Sequence, residues 1–338
     1  MKQIGVALIG CGAISGVHLR AISEIPTAKL IAVVDTNENL AKATAESYGC
    51  AYYTDYVDML ANPDVDVVHI TTAHYQHAPM AIDALKAGKH VLTEKPMAES
   101  KAAAQSMLQA AETYSQVQLG VIFQNRYNPA SRLMKKAVES SELGKLLCLK
   151  GIVTWNRTAA YYETAWKGKW ATEGGGALIN QSIHTLDLLQ WLGGEVSSVK
   201  GTMSNDSLED VIEVEDTVHV HLTYKNGATA VFYATNAYGV NSPPEIELVF
   251  EKGKLVMIGD TLYQVIDDVQ TLLSSPEANN LGAKSYWGIS HSKQIADFYE
   301  HLLTMRPYWL NGPEGYKAFE LVMDIYESSR TGKRITYR

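Results

Sequence analysis

Cysteine is scarce in this 338-residue chain: Cys11, Cys50 and Cys148 are its three, and they are scattered. That spacing matches neither a disulfide framework nor a zinc-ligand pattern, and it fits a reducing cytosol. Long apolar runs are missing too. The apolar start, Ile4 to Ile9, is too short for a secretory signal, and no window reaches the roughly 18 apolar residues of a membrane span. Positive charge is not in excess: 29 Lys and Arg stand against 37 Asp and Glu, a net charge of -8, with both signs spread along the chain. A nucleic-acid surface would need clustered basic residues. Repeats and low-complexity tracts are also lacking. The expectation is a soluble, cytoplasmic protein whose partner is a small molecule, not a nucleic acid or a membrane.

The length favours two domains. From residue 4 to about 123, short β-branched runs (Ile4 to Ile9, Leu30 to Val34, Val65 to Ile70, His90 to Leu92, Val117 to Phe123) alternate with helical patterns such as Met80 to Ala87, capped by Gly88, and Ser100 to Tyr114. This alternation predicts crossover units on a parallel sheet, a doubly wound nucleotide-binding domain over residues 1–124. Beyond it come one helical stretch, Ala130 to Ser140, and long alternating strands such as Thr217 to Tyr224 and Ala228 to Tyr238. Asn226-Gly227 between the last two predicts a two-residue hairpin with positive φ at both positions. Residues 125–338 are therefore expected to form an α+β domain with a mainly antiparallel sheet. Two helices near the end, roughly 292–303 and 314–329, are expected to pack on that sheet or to return to the first domain. The fold class is α/β in the first domain and α+β in the second.

A turn reading Gly10-x-Gly12-x-x-Ser15 follows the first strand and opens a helix. Such a turn lets backbone N–H groups and the helix N-terminus receive a pyrophosphate. Ser15 stands where a third glycine often serves helix–strand packing. Asp35 ends the second strand, 25 residues after Gly10 and near the roughly 20 expected for a carboxylate on the ribose 2′-hydroxyl. Asp35, Thr36 and Asn37 have no adjacent Arg, which favours NAD over NADP. Gly10, Gly12, Ala13, Ile14, Asp35 and Thr36, with Thr71 after the third strand, are the expected dinucleotide contacts. The alternative is a bare turn with Asp35 as a helix cap.

Val91-Leu92-Thr93-Glu94-Lys95-Pro96 sets a Glu-Lys pair and a proline directly after a short strand, where α/β sheets meet their ligands. Farther on, Gly174-Gly175-Gly176 leads into a helix expected to run to about Leu192, on which Asn180, His184 and Asp187 follow i, i+4, i+7 spacing and would share one stripe. A polar stripe beside the apolar Ile179, Ile183 and Leu186 is costly to bury unpartnered, so it is expected to border a cleft. His184 has the residue type to accept a hydroxyl proton and Lys95 the charge to stabilise an alkoxide. Together these motifs point to hydride transfer between nicotinamide and an alcohol or carbonyl.

Between the first strand of the second domain and the triple glycine lie Trp155-Asn156-Arg157 through Tyr161-Tyr162 and Trp166-Lys167-Gly168-Lys169-Trp170. Aromatic faces among hydrogen-bond donors suit a sugar or cyclic polyol, with Arg157, Tyr161 and Trp166 as candidate contacts beside Asn180 and His184. The same aromatics would equally serve to anchor their loop or a subunit contact. Arg157 and Lys167 suit a carboxylate or phosphate, so an acidic sugar stays open. His219 and His221 sit on one strand face; without a nearby carboxylate or thiol they read as a solvated or subunit-contacting face, and no metal site is expected.

These motifs resemble the glucose-fructose oxidoreductase, inositol dehydrogenase and MocA (Gfo/Idh/MocA) family over essentially the whole chain. The resemblance rests on Gly10-x-Gly12, on His77 with Ala87-Gly88-Lys89-His90-Val91-Leu92-Thr93-Glu94-Lys95-Pro96, and on the triple glycine leading to Asn180 and His184. His291, after Tyr286-Trp287-Gly288, also resembles the family pattern without a chemistry attached. The resemblance implies a bound nicotinamide dinucleotide, an open-faced antiparallel sheet, homodimers or homotetramers built on that sheet, Lys95 and His184 as the catalytic pair, and Glu94 and His77 on the cofactor side. Many members carry Asp where this chain has Asn180, which leaves the proton acceptor open. Two other functions stay in view, an NAD-retaining glycosidase that oxidises transiently and a non-catalytic dinucleotide sensor.

Overall fold

The computed structural model describes residues 3–275 and 290–337, so Tyr286, Trp287 and Gly288 lie outside the described residues. The chain divides into two compact units, Met1–Phe123 with Ser290–Lys317, and Gln124–Ile289 with Ala318–Arg338.

In the first unit β1 (Ile4–Ile9), α1 (Ser15–Glu24), β2 (Ala28–Val34), α2 (Glu38–Tyr48), β3 (Ala51–Tyr53), α3 (Tyr56–Leu60), β4 (Val67–Ile70), α4 (His74–Lys86), β5 (His90–Thr93), α5 (Lys101–Thr113) and β6 (Leu119–Val121) follow one another. The strands form a parallel sheet in the order β3-β2-β1-β4-β5-β6. Every residue of β1 and β4 is buried, as expected of strands covered by helices on both faces. The order reverses between β1 and β4, and that switch point opens the crevice in which such sheets bind ligands. β3, short and half exposed, has no apolar run and was invisible in the periodicity. Helix starts follow local chemistry: Asn37 and Ser100 cap α2 and α5 by accepting from Leu40 N and Ala103 N.

The second unit holds α6 (Pro129–Ser140), β7 (Leu146–Thr154), a π turn at Ala177–Gln181, α7 (Ile183–Gly193), β8 (Val196–Ser204), β9 (Thr217–Tyr224), β10 (Thr229–Thr235), β11 (Glu245–Phe250), β12 (Gly253–Ile258), β13 (Thr261–Ile266) and β14 (Val269–Ser274). With β15 (Ile335–Thr336) they make a nine-stranded sheet in the order β14-β13-β12-β11-β7-β10-β9-β8-β15. All neighbours are antiparallel except β7 and β10. α7 packs on β7. Along β9, Val218, Val220, Leu222 and Tyr224 are buried while His219 and His221 are exposed on the opposite face.

The β9–β10 hairpin differs from the expected two-residue turn. Gly227 alone adopts positive φ, at 87°, and its N–H donates to Tyr224 O while Tyr224 N donates to Ala228 O. The connection is a three-residue loop with the glycine in the left-handed position, the second commonest hairpin solution. Asn226 instead uses its side chain, accepting from Ala228 N and donating to Gly193 O.

Near the C-terminus, α8 (His291–Leu303) packs on α1 within the first unit. Gln294 of α8 donates to Val121 O and accepts from Phe123 N, continuing the hydrogen bonding of the β6 edge. The long helix α9 (Gly312–Thr331) contains the passage from Lys317 of the first unit to Ala318 of the second.

Candidate functional site

At the carboxyl end of β1 the chain makes the glycine turn. Gly10 has φ 95°, and a Cβ there would stand 2.9 Å from Thr71 O, so this glycine is required both by conformation and by close approach to β4. Gly12 meets nothing within 4 Å of a Cβ, which leaves its backbone open on one side. No side chain caps α1 and no acidic residue stands in its first turn; such an N-terminus offers N–H groups and a partial positive charge to an anion. Asp35 accepts from Cys11 N and Asn37 N, one bond on each oxygen, pinning the glycine turn to the end of β2 with lone pairs to spare. The Thr71 hydroxyl lies 3.0 Å from Ile9 O and 2.6 Å from Gly10 O, bracing the same turn. Ala13 and Thr36 are exposed and Ile14 is half-buried. The open Gly12 side, the uncapped helix and the adjacent carboxylate fit a dinucleotide.

After β5 the chain enters Glu94-Lys95-Pro96, with a cis Lys95–Pro96 bond. Lys95 is half-buried and its N–H donates to Glu94 Oε2. His77 is buried beneath this turn, its Nδ1 2.7 Å from Pro96 O and its Nε2 3.1 Å from Thr72 O. Both partners are carbonyl oxygens, which only accept; burial lowers the pKa of the imidazole, and the bonds to these two carbonyls oppose that shift. Glu94 is also buried. Its Oε1 lies 3.0 Å from His18 Nε2 and 3.2 Å from His291 Nε2. These are direct hydrogen-bond contacts, and they continue inward: His18 Nδ1 lies 2.8 Å from His69 Nδ1, and His69 Nε2 lies 2.8 Å from the Tyr299 hydroxyl.

One tautomer set satisfies the whole row. Burial opposes charge on Glu94, yet the bonds from His18 and His291 hold its pKa well below the usual carboxylate range. Burial also lowers His18 and, further, His69, keeping both neutral. An ionised Glu94 only accepts. His18 therefore donates from Nε2 and accepts at Nδ1, His69 donates from Nδ1 and accepts at Nε2, and Tyr299 donates its O–H. The result is a one-way chain of donors ending on the carboxylate beside Lys95.

In the second unit the triple glycine is a constrained turn. A Cβ on Gly175 would fall 1.9 Å from the Tyr326 hydroxyl, and one on Gly176 2.1 Å from Glu215 O. Glu215 is buried and accepts from Gly176 N, Leu178 N and the Tyr326 hydroxyl. The π turn then interrupts the period that the continuous helix required, and α7 starts only at Ile183. Asn180 and His184 are half-buried, but Asp187 is 1 % exposed. The expectation that the polar stripe borders a cleft is therefore corrected for Asp187: it is paired in the interior with Arg126, whose Nε and Nη2 donate at 2.8 and 2.6 Å. His184 Nε2 lies 3.4 Å from Gln124 Nε2.

The loop before the glycines brings its candidates together. The Lys167 ammonium sits 3.7 Å over the Tyr161 ring and the Arg157 guanidinium 5.0 Å from it. Arg157 also donates to Asn156 O and Asn241 Oδ1. Gln181 donates to the Tyr161 hydroxyl, and Asn180 Nδ2 donates to Glu173 Oε1 at 2.5 Å. Trp166 is half-buried, and its carbonyl accepts from Thr172.

Comparison with known proteins bears on both units. The model of the oxidoreductase family with an NAD-binding Rossmann fold matches residues 4–123, and that of the GFO/IDH/MocA C-terminal domain matches residues 131–256. The chain belongs to the Gfo/Idh/MocA oxidoreductase family. It is 29 % identical over 326 residues to a levoglucosan dehydrogenase of Pseudarthrobacter phenanthrenivorans, covering 86 % of this chain and 82 % of that protein. An inositol 2-dehydrogenase of Rubrobacter xylanophilus is 28 % identical over 254 residues, 75 % of this chain and 70 % of that one. The WlbA dehydrogenase of Bordetella pertussis, solved with NADH and UDP-GlcNAcA, superposes with a TM-score of 0.87 at 30 % identity, covering 100 % of this chain and 99 % of that one.

The first unit is thus this family's NAD-binding Rossmann domain, and among the described residues no helix is long and apolar enough to cross a membrane. Several Gfo/Idh/MocA site neighbours in this chain escaped the sequence reading: His18, His69, Tyr299, Arg126, Glu173 and Glu215. His18 lies in α1 and His69 in the otherwise apolar β4, and Glu94 is linked to His18 across 76 positions and to His291 across 197. No local spacing announces such contacts. Glu173 stands seven residues from Asn180, and its place directly before the triple glycine was the one available signal.

Proposed function

We propose that this oxidoreductase oxidises a ring CH–OH of a sugar, sugar acid or cyclic polyol to the ketone, with NAD as acceptor. The observation that carries the substrate class is the loop cluster of the second unit, where Arg157 and Lys167 flank the Tyr161 ring next to Asn180 and Gln181. An aromatic face suits the C–H side of a sugar ring, and the amides and cations suit its hydroxyl rim or a carboxylate. The relatives named for levoglucosan and inositol, and the one solved with UDP-GlcNAcA, support that reading.

Bound NAD supplies the hydride acceptor. Gly10, whose own N–H donates to Val34 O, and Gly12 let the backbone approach its pyrophosphate, Ala13 and Ile14 offer N–H groups from the turn before α1, Asp35 and Thr36 take the ribose, and Thr71, His77 and Glu94 support the turns around it. Lys95 donates to the reacting oxygen and stabilises the alkoxide charge that develops as the O–H proton leaves. His184 takes the hydroxyl proton, with Asn180 as a hydrogen-bond partner of the substrate. Arg157, Tyr161 and Trp166 contact the rest of the ring. We assign a homodimer or homotetramer contact to the exposed sheet face carrying His219 and His221, and a cytoplasmic location in keeping with three unpaired cysteines.

The test is a panel of cyclitols, aldoses, sugar acids and nucleotide-linked sugars incubated with NAD while reduced cofactor is followed by absorbance. Net NADH with at least one of them is expected. Silence across the panel overturns the substrate class, and tighter binding of NADP than of NAD overturns the role of Asp35.

A further inference from the structure

We infer that Arg126 is a positioning residue for His184: its buried pair with Asp187 ties the turn that carries Gln124 to the start of α7 and so fixes the imidazole in place. The inference rests on the reading that His184 takes the substrate proton.

The start of α7 has little of its own to hold it. The π turn at Ala177–Gln181 stands directly before it. Its cap residue, Ser182, turns its hydroxyl back to Ala177 O and Leu178 O, so no side chain caps the helix, and no acidic residue stands in the first turn. Uncapped helix ends fray. His184 is the second residue of that turn, and a group that moves a proton has to be held to about 0.5 Å of its working place. The brace therefore has to come from outside the helix.

A single 3₁₀ turn of the same unit, Gln124–Tyr127, supplies it. Gln124 Nε2 lies 3.4 Å from His184 Nε2. Arg126 donates from Nε to Asp187 Oδ2 at 2.8 Å and from Nη2 to Asp187 Oδ1 at 2.6 Å. The two attachments match in spacing. From 124 to 126 a 3₁₀ turn rises about 4 Å, and from 184 to 187 an α-helix rises about 4.5 Å, so a short turn laid along α7 reaches both places at once. A third contact lies one helical turn on, where the Arg126 guanidinium is 5.6 Å from the Trp191 ring.

Stability does not account for this pair. Arg126 is 0 % exposed and Asp187 1 %. Taking two charges out of water offsets much of what their attraction returns, and apolar side chains of similar volume commonly serve a fold as well or better. Direction is what an apolar contact lacks. A planar guanidinium bonded along one edge to both carboxylate oxygens fixes angle as well as distance, and that holds the Gln124 turn in register with the turn of α7 that bears His184.

The test uses the full chain with NAD and compares wild type with Arg126→Lys and with the double variant Arg126→Met/Asp187→Leu, which removes both charges together and leaves neither unpaired. The double variant is expected to keep its urea midpoint and its NAD affinity. With the sugar or polyol that yields NADH, its kcat is expected to fall roughly 10²-fold, the scale of a small misplacement of a reacting group, with KM little changed. Arg126→Lys keeps the charge without the fork and is expected to lose less, in the same direction. Added to His184→Ala, the double replacement is expected to cost no further turnover, because the group it positions is gone.

Nitrogen-15 NMR of the His184 ring, assigned by its loss in His184→Ala, needs no turnover. One fixed pair of ring-nitrogen signals is expected in wild type and averaged signals in the double variant. A wild-type kcat in the folded double variant, a loss of NAD affinity as large as the loss of turnover, a further loss on the His184→Ala background, or unmoved ring signals each overturns the inference. If no panel member is oxidised, or His184→Ala turns over like wild type, the functional reading fails on its own, while the ring signals still decide whether Arg126 positions His184. Should the double variant not fold, Arg126→Lys decides by the same measures, and unchanged kcat and ring signals there overturn the inference.

Discussion

Glu94 in the first unit and Glu173 in the second are both buried carboxylates with hydrogen-bond donors, and their acidities move in opposite directions. Burial opposes the charge of each. Glu94 overcomes it with two imidazole N–H donors on one oxygen and a backbone N–H on the other. Glu173 has a backbone N–H and a side-chain amide but faces a second carboxylate, Glu215, and its pKa rises to about 7. Burial alone does not decide whether a carboxyl is charged; the donors aimed at it and the sign of its neighbours do. The first unit therefore holds a fixed charge next to Lys95, and the second holds a group that titrates where the cell works.

The largest expected difference between the two regions is in what a substitution damages. His184→Ala should slow oxidation by roughly 10²- to 10⁴-fold if the imidazole is the general base, with an unchanged denaturation midpoint; steady-state rates beside a urea titration check both halves, and an unaffected rate removes His184 from the chemistry. Glu94→Ala should do the reverse and strike stability, on the order of 3 kcal/mol or more, since each buried donor left unpaired costs about 1–3 kcal/mol. A midpoint within error of wild type would break the comparison.

Acidification sharpens it further, because the signs differ. His18, His69 and His77 have lowered folded pKa values, so below about 6.5 the unfolded chain binds protons that the folded chain refuses and stability falls. Glu173 has a raised folded pKa; between about 4.3 and 7 the folded state binds the extra proton, and acidification through that window adds stability. Glu173→Gln removes the second contribution, so the variant should lose more stability than wild type between neutral pH and about 4.5. Parallel urea midpoints in the two proteins would contradict it. The smallest effect belongs to Tyr299→Phe, which deletes the first donor of the chain leading to Glu94 and should cost about 1 kcal/mol; near-neutral behaviour in a denaturant titration would mean that His69 holds a different tautomer.

Legibility in the sequence tracked the range of the contacts. The alternation of β-branched runs and helices sufficed for the doubly wound unit, while β3, with exposed Ala51 and Tyr52, carried no pattern to read. The Gly10–Gly12 turn and the Glu94-Lys95-Pro96 segment were readable because a strand end and a turn are written in adjacent residues. The Asn180, His184, Asp187 stripe was read on a continuous helix, and the π turn at Ala177–Gln181 removed that premise. Asp187 turned out to answer Arg126, 61 positions away, a pairing for which no spacing rule exists.

The sequence by itself determined the two-unit α/β organisation, the glycine turn with its acidic strand end, and the candidate pair Lys95 and His184, because these depend on periodicity and on neighbours a few residues apart. Tertiary structure alone decided the protonation states. Whether Glu94 is held ionised, His18 and His69 are held neutral, and Glu173 is left to titrate depends on donors and charges gathered from distant parts of each unit, and on the water that their packing excludes.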